Sequence, residues 1–184
     1  MFRFDIIESE KEIVENQLID LVTKKMRCFQ RSEDQKGSIY ILVRERESLK
    51  GGACLVRRNL KNIQEDVREL VMTHPLQNYV WECSTVCLEL PQEQSVKETS
   101  ELRYSYHSFY RGLYEGFVEF GKMKGVGFLI MKLSPEVYDA TKEFGLWPYV
   151  VELKPDNSLD GLFHGVLPLT GSQYRAYRES WEVA

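Results

Sequence analysis

Glu82 is the residue whose surroundings suggest chemistry. It is the acid in the middle of the apolar run Tyr79-Val-Trp-Glu-Cys-Ser-Thr-Val-Cys-Leu-Glu-Leu90, where a solvated surface strand would carry several polar residues. A lone carboxylate so placed is either a structural acid paired with a cation, Arg44 or Arg57 being the candidates, or a base held for proton transfer. Other reactive types are less well arranged. Ser105-Tyr-His107-Ser108 sets an imidazole beside two hydroxyls, but no carboxylate stands four residues on, so a surface or capping role is expected rather than nucleophilic catalysis. His74, His107 and His164 show no metal-ligand spacing, and no metal is expected. Cys28, Cys54, Cys83 and Cys87 form no CxxC pair. Cys83 and Cys87 share a strand face but lie roughly 13 Å apart at strand rise, too far for a shared metal or a disulfide. Reduced thiols in a cytoplasmic protein are the simple expectation.

The elements that position Glu82 follow from periodicity. Phe2–Ile7 alternates as an opening strand, and Ser9 with Glu12 makes a capping box for a helix striped by Ile13, Val14, Leu18, Leu21, Val22 and Met26. Arg31–Gly37 reads as a loop and Ser38–Val43 as a strand, with Gly51-Gly52 ending a short hairpin connection into Ala53–Val56. Asn59–Thr73 carries Leu60, Ile63, Val67, Leu70 and Val71 at helical spacing before His74-Pro75 stops it. The strand bearing Glu82 ends at Pro91. Glu101–Lys124 is then the longest helix, burying Tyr106, Phe109, Tyr110, Leu113, Phe117 and Phe120 and ending near Gly125.

Gly127–Leu133 is the next strand, and Ser134-Pro135 opens another helix that stops at Gly145. Pro148–Leu153 and Gly161–Leu167 are two more strands, and Ser172–Trp181 is a last short helix. Strands and helices in this order predict one domain over residues 1–184, an α/β (α+β) fold of three layers with a central mixed, mostly antiparallel sheet.

Composition narrows the partners. With 24 Lys and Arg against 28 Asp and Glu the formal net charge is -4, so a nucleic-acid surface, which needs clustered cations, is not expected. The nearest cationic feature is Arg57-Arg58 followed by Lys61, a solvated edge or a docking place for an acidic partner. The opening Met-Phe-Arg-Phe-Asp-Ile-Ile is too short an apolar run for a targeting segment, and no run approaches the length of a membrane span. Aromatic content of 12% suits either a bulky core or a pocket for an apolar group.

Several local patterns resemble the acyl-homoserine-lactone synthases, a branch of the wider N-acyltransferase fold. Gly51-Gly-Ala-Cys-Leu55 is similar to that family's Gly-x-x-Arg-Leu strand, and Trp81-Glu-Cys-Ser-Thr85 to its Trp-Glu-x-Ser-Arg strand. Glu115–Lys124, Gly125, the strand to Leu133 and Phe144-Gly-Leu-Trp-Pro148 follow its later pattern of helix, glycine, strand, helix and Gly-Trp-Pro. The resemblance implies transfer of an acyl group from a thioester, on acyl carrier protein or coenzyme A, to a small amine acceptor. It implies no permanently bound cofactor beyond that pantetheine-linked donor.

On this reading Glu82 deprotonates the attacking amine. Trp81, Ser84, Thr85, Phe109, Phe117, Phe128 and Trp147 contact substrate, and splayed strands around Val80–Val86 and Val126–Met131 expose a backbone N–H to polarise the thioester carbonyl. Arg57 and Arg58 face the acidic carrier.

The sequence also departs from the family. Cys54 and Thr85 stand where it has arginines. Such arginines clamp anionic parts of a substrate, so N-acyl amino acid synthases, which accept a different amine, are an equal comparison. Pro91–Ser100 lacks the glycine-rich phosphate turn of coenzyme A dependent relatives, and Thr141 falls where they often carry a tyrosine acid. These losses favour a carrier-bound donor. They equally suit a catalytically silent chain that keeps the fold as a binding or regulatory partner.

Overall fold

The fold follows from where the apolar runs pair. In the computed structural model, residues 2–8, 37–63, 65, 68, 79–88, 99–133, 151–155 and 163–169 are described. Among them are seven strands and one long helix: β1 (Phe2–Glu8), β2 (Ile39–Glu45), β3 (Ser48–Asn59), β4 (Tyr79–Leu88), α1 (Thr99–Lys124), β5 (Phe128–Leu133), β6 (Val151–Pro155) and β7 (Phe163–Pro168). They form one hydrogen-bonded sheet in the order β1-β2-β3-β4-β5-β7-β6. The sheet is mixed, because β4 and β5 run parallel while the β1–β2, β2–β3, β5–β7 and β6–β7 pairs are antiparallel. Each of the seven strands overlaps a stretch that sequence periodicity marks as a strand, though β3 is longer than the expected Ala53–Val56 and β6 runs on into Lys154 and Pro155, which read as a turn.

By its backbone contacts the chain forms two compact units, Met1–Leu55 with Thr85–Phe117, and Val56–Ser84 with Val118–Ala184. In the first, β1 and β2 pair from Phe2↔Glu45 to Glu8↔Ile39. Residues Ile39 to Val43 are all buried, which fits their unbroken apolar run rather than an alternating one. The β2–β3 hairpin turns at Arg46-Glu47, with Arg46 at φ 55 and Glu45 opposite Ser48. The expected turn at Gly51-Gly52 is therefore corrected. Both glycines lie inside β3, opposite Val43 and Leu42, next to a bulge that leaves Lys50 without a register partner on β2. A side chain at Gly52 would collide with the Ile41 carbonyl, so this glycine serves a close strand approach. Gly116 does the same for the helix. A Cβ there would lie 2.5 Å from Ile41 Cγ2 and 3.4 Å from the Phe4 ring.

In the second unit β5 pairs with β7 from Phe128↔Pro168 to Leu133↔Phe163. The helix ends in a Schellman cap: Gly125 takes φ 67, and the Val126 N–H reaches back to the Gly121 carbonyl at 2.8 Å. The helix expected from Asn59 starts later. Asn59 ends β3 and its Oδ1 accepts the Lys61 N–H at 3.0 Å, capping a 3-10 turn over Leu60–Asn62, and only Glu65 and Arg68 beyond it are described as helical. The helices expected after Ser9, Ser134 and Ser172, the loop at 31–36, and Trp147 lie outside the described residues.

Candidate functional site

Strand alternation sets the site. Trp81 and Cys83 point to one face of β4, while Val80, Glu82 and Ser84 point to the other. The first face meets the helix: Trp81, 8% exposed, stands edge-on to Phe120 with ring centroids 5.1 Å apart. Cys83 lies in register with Met131, and both are fully buried. On the second face Val80 joins Ile63, Phe128, Ile130 and Val166 in an apolar cluster, with Leu60 packed against it. Glu82 lies in register with Ile130, one member of that cluster. The short 3-10 turn after β3 brings Leu60 and Ile63 to the cluster, and Arg68 holds it by donating Nη2 to the Ile63 carbonyl at 3.1 Å.

Glu82 is mostly covered and paired. Its side chain is 15% exposed, and Arg58 donates both Nε and Nη2 to the single oxygen Oε1, each at 3.4 Å. The expected partners, Arg44 and Arg57, are corrected: the ion pair of Glu82 is with Arg58, while Arg44 binds Asp5 at 2.7 Å. Which arginine meets Glu82 depends on how β3 lies beside β4, and periodicity within one strand carries no information about that. The Arg58 pair is loose. Charge-assisted N–H···O contacts usually close to about 2.7–2.9 Å, and the Arg58 side chain is itself 44% exposed.

The registered pairs of the β4–β5 ladder are Glu82↔Ile130 and Cys83↔Met131. Both strands continue beyond these pairs, β4 to Leu88 and β5 to Leu133. The carboxylate thus belongs to a registered residue of the parallel ladder, one position before Cys83.

The other sequence-predicted residues are dispersed over both faces. Phe128 lies in the cluster on Glu82's face, and Ser84 alternates onto that face. Phe109 and Phe117 are fully buried on α1, Phe109 edge-on to Tyr110, and Trp81 packs on the helix face. Thr85 belongs to β4, and Trp147 is outside the described residues. Arg57 and Arg58 both end β3 exposed. Sequence reasoning missed Arg68. Its Nε is buried with no hydrogen-bond partner among the described residues, and only the Ile63 carbonyl contact reveals its place. Among the described residues no three His, Cys, Asp or Glu side chains converge to hold a metal ion, and no helix is long and apolar enough to cross a membrane.

Solved structures share this arrangement of elements. The coenzyme A dependent acyl-homoserine-lactone synthase MesI matches with a TM-score of 0.54 at 12% identity, over 99% of this chain and 96% of its own. BjaI, another coenzyme A dependent acyl-homoserine-lactone synthase, solved with SAM and isopentyl-CoA, matches at 0.54 and 11% identity, over 98% of this chain and 89% of its own. No protein-family model and no curated protein sequence matches the chain. The chain thus has the N-acyltransferase fold in the form seen in acyl-homoserine-lactone synthases. That fold is the one the strand order and the Trp81-Glu82 strand lead one to expect.

Proposed function

We propose that the protein is an N-acyltransferase that moves an acyl group from a pantetheine-linked thioester to a small amine, with Glu82 as the base. One observation carries the reading. Glu82 is a largely covered carboxylate on the parallel β4–β5 ladder, loosely paired with Arg58, in a chain with the fold of MesI and BjaI.

The chemistry follows from that position. An amine arrives protonated, and Glu82 takes its proton directly or through a water. The nitrogen lone pair then attacks the thioester carbonyl carbon; the C–N bond forms, the C–S bond breaks, and the thiol leaves. Strand backbone past Cys83 is where an N–H would stabilise the developing oxyanion. Ser84 and Phe128 line the acceptor side on this proposal, and Thr85 and Trp147 are proposed substrate contacts. Trp81, Phe109 and Phe117 are proposed to act through packing, Trp81 by its contact with Phe120.

MesI and BjaI are described as coenzyme A dependent, and the same pantetheine arm on acyl carrier protein offers the identical thioester. Arg57, with Lys61 beside it and Arg58 next in sequence, is a cationic edge suited to an acidic carrier. Such donors place the reaction in the cytoplasm, and the autoinducer and N-acyl amino acid synthases are its chemical relatives.

Glu82→Gln is the test. Amine acylation from decanoyl-coenzyme A or decanoyl carrier protein should fall roughly 100- to 10,000-fold, with the melting temperature within about 2 °C of wild type. Equal activity in the variant removes Glu82 as the base. A second reading, a binding protein that keeps the fold without catalysis, is favoured by Cys54, which is 1% exposed where the resemblance has an arginine. Native mass spectrometry separates the two. Acyl or pantetheine mass on the purified protein supports the enzyme, and a clean apo mass with a co-purifying protein supports the binder.

A further inference from the structure

Arg58 is the half-open member of its pair with Glu82, and the pair's geometry gives it a second use. Its Nε and Nη2 donors converge on one carboxylate oxygen at 3.4 Å, whereas the Arg44–Asp5 contact closes to 2.7 Å. A guanidinium carries five donors in a planar fork that matches a carboxylate with two parallel bonds. Holding Oε1 alone at long range leaves that fork capacity unmet. Exposure is unequal, 44% for Arg58 against 15% for Glu82, so an incoming anion reaches the guanidinium before it reaches the carboxylate. Next to the pair lies the apolar cluster of Ile63, Val80, Phe128, Ile130 and Val166.

We propose that Arg58 selects the acceptor: it exchanges Glu82 for a carboxylate on the incoming amine, which frees Glu82 to receive the ammonium. This rests on the acyltransferase reading above and adds a specificity-determining residue to it. While Arg58 lies on Oε1, a cationic acceptor meets a neutralised pair and gains little by approaching. An acceptor carrying both charges pairs each with its opposite, its carboxylate on Arg58 and its ammonium on Glu82. An apolar side chain on such an amino acid lies toward the cluster. The ammonium gives one proton to Glu82, the amine attacks the thioester carbon, the C–S bond breaks as a second proton passes from the nitrogen to the departing thiolate, and Glu82 returns its proton to water. One proton is released per amide formed.

The experiment uses the full chain, decanoyl-coenzyme A and decanoyl carrier protein as donors, and matched acceptor pairs: leucine and leucinamide, phenylalanine and phenylalaninamide. Wild type should favour the acid over the amide by about tenfold or more in kcat/KM, the scale of one charged hydrogen-bonding partner. Arg58→Gln should bring that preference within about twofold by losing the acid, Arg58→Lys should keep part of it, and Glu82→Gln should lose both acceptors. Amides acylated as well as acids by wild type, or a preference kept in Arg58→Gln, overturns the proposal.

A binding readout separates this from failure of the enzyme reading. Calorimetric titration of leucine should give heat with wild type and none with Arg58→Gln, while leucinamide gives none with either. If no amine is acylated yet leucine binds in this pattern, the enzyme reading fails and the Arg58 site stands. If leucine and leucinamide bind alike, or neither binds, the Arg58 site fails whatever the activity. Unchanged melting of Arg58→Gln guards against misfolding.

Discussion

A double-mutant cycle on Arg58 and Glu82 tests how tightly the pair is held, and the exchange just described requires it to be loose. The perturbations are Glu82→Gln, Arg58→Gln and both together, each nearly preserving shape. The two N–H groups lie 3.4 Å from one oxygen and the arginine is 44% exposed. Attraction over such a gap is about 1 kcal/mol in bulk water at 4 Å, and exposed pairs retain about 0.2–1 kcal/mol after side-chain ordering is subtracted. We expect a coupling of about 0.5 kcal/mol. In a chain of this length that is about 1–2 °C of melting temperature, and in urea it is a small shift of midpoint at constant slope.

Salt gives an independent check. At 1 M the screening length falls to about 3 Å, and the coupling should shrink toward zero. A coupling above about 2 kcal/mol that resists salt would refute the reasoning. Such a pair would be a structural lock, and an acceptor carboxylate could not displace it.

Two further expectations concern the frame around the site. Gly121→Ala should lower stability by about 1–2 kcal/mol despite the better helix propensity of alanine, because its Cβ would lie 2.7 Å from the Val126 carbonyl and 2.9 Å from Leu169 Cδ1. Gly125→Ala has nothing within 4 Å of the added carbon and should lose about 1 kcal/mol from its φ of 67 alone, so equal melting of Gly121→Ala and wild type would contradict the packing. Trp81→Phe should cost about 1–2 kcal/mol through the Phe120 contact while leaving the acceptor KM within about twofold; a tenfold rise in KM would put Trp81 at the substrate.

Most strands were legible because they are apolar runs bounded by glycine, proline or charge, β1 because its residues alternate, and the helix because Phe109, Phe117 and Phe120 repeat at helical spacing. Local signals failed where one residue type has two uses. Gly51-Gly52 reads as a turn because glycine marks turns, yet the pair lies in mid-strand, where the approach of the Ile41 carbonyl excludes a side chain at Gly52. Asn59 reads as the start of a long helix because Leu60 and Ile63 share a helical spacing. The same spacing serves a 3-10 turn that folds both onto the apolar cluster.

The site divides along the same line. Glu82 stood out because a lone acid among apolar neighbours is a statement about one strand, and one strand is what sequence periodicity describes. Its partner is a statement about two strands. Arg57 and Arg58 are adjacent, equally charged and both exposed, and they differ in that alternation turns them to opposite faces. A one-residue slip of β3 would put Arg57 or Asn59 at the place of Arg58, and in the second case take the cation away from Glu82. If acceptor choice rests on Arg58, then specificity in this fold is set by strand register as much as by motif, and Cys54 and Thr85 in place of the family's arginines need not mean a silent site. Arg58→Ser, in a chain that retains Arg57, should then lose carboxylate selection; selection kept by Arg57 alone would show that position along β3, and not its face, is what the acceptor reads.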